Sequence, residues 1–279
     1  MCFETNGFDE IEGLFTIDEM DKLESRITKL FISQAQKISE YREMAVKLSS
    51  NKALTNKEKF VSVYEAMEQI DKDALYQIQK LLPSSQFVRE IFTNRFFTQC
   101  SKYMNVDDVE LLLVDGPATF VNRPNTDRLM YKWHSEAHYY PKRRNFLNIW
   151  FPIFVDKTKE NGTMSFKVGS HKSDFPFSEY TGFNKNTENK NNYFRQLEIP
   201  SNFLTKYAEH FCESKRGDVI FFNRSLVHRS NNNPTTDYSF AIVARVWEHS
   251  NDLTISGSLA ATPYGGDVGR ANLYVSDEV

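Results

Sequence analysis

GDVIFFNRSLVHRSNNN, residues 217–233, is the stretch on which the reading of this chain turns. Gly217 and Asp218 form a turn pair, and the short apolar run 219–222 behind them has the pattern of a buried strand. A second short strand then delivers His228. Upstream, WHSEAHYYPKRR (133–144) sets His134 and Glu136 two residues apart. On an extended segment, positions i and i+2 project to the same side, so both can face one ion. Taken alone, that pair reads more readily as a surface His and Glu beside a turn. With His228 from a separate strand it becomes a two-histidine, one-carboxylate set. Such a set leaves positions open around a non-haem Fe(II). Zinc hydrolases use the same donors, so the ligands alone do not choose the metal.

The segments around these two stretches share one texture. VELLLVD, ATFVN, RLMYKWHSE, FLNIWFPIFV, TMSFKV and YSFAIVARVW are short, rich in β-branched and aromatic residues, and separated by Gly, Pro and Asn. The first third of the chain differs. Thr16 followed by Glu19 has the form of a capping box. Behind it Met20, Leu23, Ile27, Leu30, Phe31 and Ile38 recur at helical spacing. Thr55 and Glu58 repeat the start signal ahead of Phe60, Val61, Tyr64 and Met67. Further helices are expected over 70–82, stopped by Pro83, and over 85–103. Helices first and strands afterwards predict an α+β fold, with helices buttressing a sheet sandwich or barrel. The division is expected near residue 105: 1–105 helical, 106–279 the strand-built core. NKNTENKNN (184–192) is polar low-complexity sequence and reads as a loop.

At 279 residues the chain can bury one large core. Its net charge of −3 supplies no basic field for nucleic acid or anionic lipid. Cys2, Cys100 and Cys212 are odd in number and far apart, which argues against a disulfide framework. The start, MCFETNGFDEIEG, lacks the pattern of a secretory signal, and no apolar run approaches the roughly 20 residues that span a bilayer. The expectation is a cytoplasmic protein acting on a small molecule, without a nucleic-acid or membrane partner.

Four pieces in order, from about residue 118 to 247, resemble the phytanoyl-CoA dioxygenase family. These are FVNRP, HSEAHYYP, ENGTMSFKVGSHK (160–172), and the opening stretch, in which Ser230 and Asn233 follow His228. The resemblance implies a double-stranded β-helix, the jelly-roll or cupin-like barrel. It implies Fe(II) held by His134, Glu136 and His228, with 2-oxoglutarate as co-substrate and O2 as oxidant. The implied reaction is hydroxylation by ferryl-mediated hydrogen abstraction. Glu136 stands where aspartate is commoner in the family, and a retained carboxylate frees no position for halide.

One position departs from the pattern. The family usually anchors the far carboxylate of 2-oxoglutarate with an arginine about eleven residues past the distal histidine, and here that residue is Ser239. A buried carboxylate left without a cation costs several kcal/mol. Arg123 is the favoured substitute, and Arg245, on the same strand face as Ser239, is the other. By resemblance Trp150 flanks the co-substrate, although a core tryptophan would look the same. His138 and Tyr140 are candidates for substrate contact. Arg144, with Lys142 and Arg143, could receive an anionic substrate. His171 is expected to bond locally, and His210 and His249 to be ordinary surface or helix residues. Two other functional classes stay open. One is a binding protein whose catalysis has decayed, suggested by Ser239; the other is a metal hydrolase on the same three ligands.

Overall fold

The computed structural model describes residues 3–70, 75, 82, 85–125, 130–141, 145–180 and 196–248. The chain opens with α1 (Phe3–Asn6) and β1 (Phe8–Ile11), followed by α2 (Ile17–Ala35), α3 (Arg42–Ser50) and α4 (Asn56–Ile70). Next come α5 (Gln86–Arg89) and α6 (Asn94–Met104). The strands are β2 (Leu112–Asn122), β3 (Phe146–Ile153), β4 (Met164–Lys167), β5 (Ser178–Tyr180), β6 (Gln196–Glu198), β7 (Glu209–Phe211), β8 (Val219–Asn223), β9 (His228–Ser230) and β10 (Ser239–Glu248). A one-turn helix α7 (Glu136–Tyr139) precedes β3.

Both capping boxes form. In the first, the Glu19 N–H donates to Thr16 Oγ1 at 3.2 Å while the Thr16 N–H donates to Glu19 Oε2 at 2.7 Å. Thr55 and Glu58 repeat these bonds at 3.2 and 2.7 Å ahead of α4. Thr16→Ala is therefore expected to cost about 1 kcal/mol. A shift of the urea midpoint with unchanged slope would register it. Behind the caps, Met20, Leu23, Ile27 and Phe31 of α2 and Phe60, Tyr64 and Met67 of α4 are buried. Each contributes on the order of 1.5–3 kcal/mol by leaving water.

The helix expected over 85–103 is broken into α5 and α6. Between them the hydrogen bonds leave the helical pattern: the Phe92 amide donates to the Arg89 carbonyl at 3.1 Å and the Thr93 amide to the Ile91 carbonyl at 3.0 Å, with Ile91 and Phe92 both buried. Thr93 is extended and starts α6 afresh. The helix expected over 70–82 and the loop 184–192 lie outside the described residues. The N-terminal segment also contains a strand that the helical reading passed over: β1 pairs antiparallel with β8, Phe8 opposite Phe222.

Ten strands form three antiparallel sheets among the described residues, the largest ordered β1-β8-β3-β10-β2 and the next β7-β4-β9. VELLLVD and ATFVN, read as separate strands, join in β2. Val243 pairs with Ala118 and Arg245 with Asp115, so Gly116 and Pro117 bulge rather than end the strand. Strand alternation sorts the large sheet into two faces. Phe151, Phe221, Phe240 and Ile242 face the helices and join their core. Trp150, Ile220, Phe222 and Ala241 face the other way and pack with Phe166 of the small sheet. The result is helices, large sheet, small sheet, with a second core between the sheets. No described helix is long and apolar enough to cross a membrane.

Candidate metal centre

The Gly217-Asp218 turn is built as expected. Gly217 has φ +100°, and a Cβ there would lie 2.4 Å from the Phe15 carbonyl oxygen, so only glycine fits. Asp218 accepts from the Gly13 and Lys215 amides, each at 2.8 Å. From this turn β8 runs inward, and β9 brings His228 back beside β4.

His134 and His228 form a hydrogen-bonded antiparallel pair. The His134 N–H donates to the His228 carbonyl at 3.0 Å, and the His228 N–H donates to that of His134 at 2.9 Å. Residues so paired present their side chains on one face, and the two rings lie 4.2 Å apart between centroids. Ser135 continues extended, and Glu136 then opens α7 rather than prolonging the strand. This differs from the extended segment inferred for the His-x-Glu pair. The helical turn still carries the carboxylate back, with Oε1 3.8 Å from Nε2 of each histidine. One ligand atom from each of the three residues lies within 4.8 Å of the other two.

The outer hydrogen bonds fix the chemistry of these atoms. Nδ1 of His134 lies 2.6 Å from the Lys132 carbonyl and Nδ1 of His228 lies 2.9 Å from that of Leu226. A carbonyl only accepts, so each Nδ1 carries the proton and each Nε2 offers a lone pair inward. Burial pushes the His134 pKa down, with Glu136 opposing, and burial with the neighbouring His134 pushes His228 down to about 3. Both imidazoles are neutral at neutral pH. Burial alone would raise the Glu136 pKa, but the Arg245 guanidinium outweighs it and holds the carboxyl below its ordinary value. All three groups therefore stand in the protonation state a divalent ion requires.

Arg245 on β10 clamps the third ligand. Its Nη2 and Nε donate to Glu136 Oε2 at 2.6 and 3.2 Å, and its guanidinium lies 5.1 Å from the Tyr140 ring centroid. Oε1 is left as the inward oxygen. Asn148 on β3 lies opposite Arg245 in register, and both its side-chain polar atoms are buried without a hydrogen-bond partner. An unsatisfied buried amide is expensive, about 1–3 kcal/mol per group, and this one stands across from the arginine that clamps Glu136.

The remaining expected residues fall into place as follows. Arg123 pairs with Glu68 and lies 5.6 Å from the Tyr64 ring of α4, which turns it toward the helical layer. The structure thus gives no geometric support to Arg123 as a co-substrate anchor, because Asn122, its neighbour, takes the face shared with Ser239. Arg245 is engaged by Glu136. Trp150 packs in the core between the sheets. Ser230 lies two residues beyond His228 on the same strand face, and its amide donates to the Tyr131 carbonyl at 2.9 Å. Ser239 is buried. His138 stacks on exposed Phe177 with centroids 4.4 Å apart, and Tyr140 packs under Arg245 against Phe146 and Trp247. His171 lies 3.2 Å from the Glu4 carbonyl through Nε2, and His210 stacks on Phe8. Lys142, Arg143, Arg144 and His249 lie outside the described residues. Sequence reasoning passed over Asn148 and also Lys157, a fully buried lysine just after β3.

Helices backing an antiparallel sheet, a second sheet closing over its far face, and a buried two-histidine, one-carboxylate triangle define a mononuclear metal-site protein. The phytanoyl-CoA dioxygenase family model matches residues 3–239. The chain belongs to that family. Among solved structures it is similar to EctD from S. alaskensis with bound Fe, at TM-score 0.56 and 15% identity over 90% of this chain and 76% of that one. It is also similar to AviO1 from Streptomyces viridochromogenes Tue57, at TM-score 0.53 and 12% identity over 89% and 92%. A third is the epimerase SnoN in complex with Fe3+, alpha ketoglutarate and nogalamycin RO, at TM-score 0.52 and 12% identity over 88% and 80%. No curated protein matches the sequence.

Proposed function

We propose that this protein is an Fe(II)- and 2-oxoglutarate-dependent dioxygenase that hydroxylates a small molecule, with its two larger sheets forming a double-stranded β-helix. The observation that carries the reading is the triad: two neutral imidazoles aimed by backbone carbonyls, and one carboxylate left with a single inward oxygen. Nitrogen and oxygen donors of this kind suit Fe(II), and the unsatisfied Asn148 amide fits a site that receives further polar ligands. Bound by His134, Glu136 and His228, Fe(II) would supply O2 activation coupled to decarboxylation of 2-oxoglutarate.

The overall balance is R–H plus O2 plus 2-oxoglutarate giving R–OH, succinate and CO2. The chain's own part is to hold and to exclude. Arg245 holds Glu136 Oε2 in two hydrogen bonds, so Oε1 is the oxygen that would be offered to the ion. Tyr139 braces His134 edge-on at 5.7 Å between centroids, and its hydroxyl accepts from the Leu197 amide at 2.9 Å. Phe166 and Phe222 wall His228 with apolar rings, limiting water around that ligand.

Anaerobic titration with Fe(II) and then 2-oxoglutarate tests this directly. A metal-to-ligand charge-transfer band, followed by succinate formation on admitting oxygen, is the expected result. Absence of both overturns the reading. Tight binding without oxygen consumption across a broad substrate screen would indicate a non-catalytic binder, and oxygen-independent turnover with zinc a hydrolase.

A further inference from the structure

We infer that Lys157 is the cation that holds the distal carboxylate of 2-oxoglutarate in this protein, reaching from the segment after β3 to the place beside Ser239. The inference rests on the dioxygenase reading above. Lys157 is 1% exposed, which is rare for lysine. Its Nζ donates to Ser239 Oγ at 2.6 Å and to Asn122 Oδ1 at 2.9 Å. Both acceptors are neutral, and no carboxylate pairs with it among the described residues. An ammonium has three donors, so these bonds leave one N–H for another group. A buried cation without a countercharge costs several kcal/mol, and burial alone pushes its pKa down to about 7. An arriving carboxylate would supply both the missing acceptor and the missing charge.

Position carries the rest. Ser239 and Asn122 are cross-strand partners at the start of β10 and the end of β2. Ser239 shares the inward face of β10 with Arg245, the residue that clamps the metal ligand. The Asn122 amide also donates to the Asn231 carbonyl at 3.3 Å, three residues past His228. Three residues of extended chain cover about 10 Å, comparable to the length of a metal bond followed by a five-carbon dicarboxylate, and Ser230 lies along that span. Ser239 Oγ in turn donates to the Asn161 carbonyl at 2.5 Å, so the hydroxyl is oriented to accept from Nζ. A lysine from one strand end thus takes the task that an arginine at 239 would perform.

The experiment uses full-length protein loaded with Mn(II), which is not oxidised under the conditions, and measures ligand binding by calorimetry. The ligands are 2-oxoglutarate and 2-oxobutanoate, which keeps the keto-acid end and lacks the far carboxylate. Lys157→Met is expected to weaken 2-oxoglutarate about 100-fold while leaving 2-oxobutanoate and Mn(II) unchanged. Methionine is similar in length and removes the buried charge, so folding is preserved. Lys157→Met with Ser239→Arg should restore most of the discrimination. Ser239→Ala, which deletes only the orienting hydroxyl, should weaken 2-oxoglutarate about tenfold. If Lys157→Met and Ser239→Ala bind 2-oxoglutarate as the wild type does, or lose both keto acids alike, the inference falls. A wild type that binds Mn(II) but neither keto acid overturns the dioxygenase reading itself.

Discussion

Glu136→Ala is expected to abolish metal binding and also to destabilise the metal-free protein by about 3–5 kcal/mol. The first effect follows from losing one corner of the triangle. The second follows from Arg245, whose guanidinium donates twice to Glu136 and is largely buried. Removing the carboxylate takes both of these bonds from a largely buried charge beside two histidines, and the cation–π contact with the Tyr140 face, worth about 0.5–2 kcal/mol, falls short of that loss. Removing one partner of a buried pair costs far more than removing both. Glu136→Ala combined with Arg245→Met should therefore regain most of the stability without regaining the metal. Glu136→Asp keeps the charge but withdraws the oxygen by one methylene, and should show weakened metal binding with smaller loss of stability. Urea titration of metal-free protein and Mn(II) titration separate the two quantities. The pH dependence has a definite sign. Because the folded protein holds the Glu136 carboxyl below its ordinary value, its contribution is complete above pH of about 4.5 and is lost only in acid below that. A Glu136→Ala protein as stable as wild type at neutral pH would refute the stranded-charge account.

The triad was legible because each member sits in a short local signal. A His-x-Glu pair and a turn-strand-turn ending in His can be read without knowing how the chain packs. What was not legible depended on long-range placement. Arg123 looked suited to a carboxylate by charge and position, yet strand alternation turns it toward Glu68 and the helices. Lys157, in the polar run DKTKEN, looks like a solvated turn, and only the fold shows its ammonium buried against Ser239 and Asn122. Strand β1 was hidden for a related reason. FDEI has one residue buried and three half-buried, and it is short, so its pairing with β8 and not its pattern makes it a strand. The break between α5 and α6 falls at Glu-Ile-Phe-Thr, residues 90–93, where no Gly or Pro announces it.

The helical layer is tied to the large sheet by a second buried ion pair, and its two halves should respond unequally. Glu24 of α2 accepts from the Phe154 amide at 2.6 Å and from Arg216 Nε and Nη2 at 2.9 and 2.8 Å. Phe154 has φ +64°, a left-handed conformation costly for a side-chain-bearing residue, so its anchored amide helps hold the chain where it leaves β3. Arg216 is less committed, since Asp21 accepts from its Nη2 at 2.5 Å. Glu24→Ala leaves the arginine with Asp21 and solvent, and its main cost is the orphaned Phe154 amide, about 1–3 kcal/mol. Arg216→Ala instead strands a buried carboxylate and should cost about 3–5 kcal/mol. Burial already pushes the Glu24 pKa up against the pull of the Phe154 amide and Arg216, and losing the arginine raises it further. A carboxyl whose folded pKa exceeds its unfolded value destabilises at high pH and is relieved as it protonates. The deficit of Arg216→Ala should accordingly shrink as the pH is lowered from about 8 to about 5, while that of Glu24→Ala does not shrink, because that variant has no carboxyl at 24 to protonate. Glu24 and Arg216 lie on the helix side of the large sheet, away from the triad, so Mn(II) affinity of the folded variants should match wild type. Equal losses for the two variants, or a pH-independent deficit for Arg216→Ala, would mean that solvent rather than Arg216 compensates Glu24.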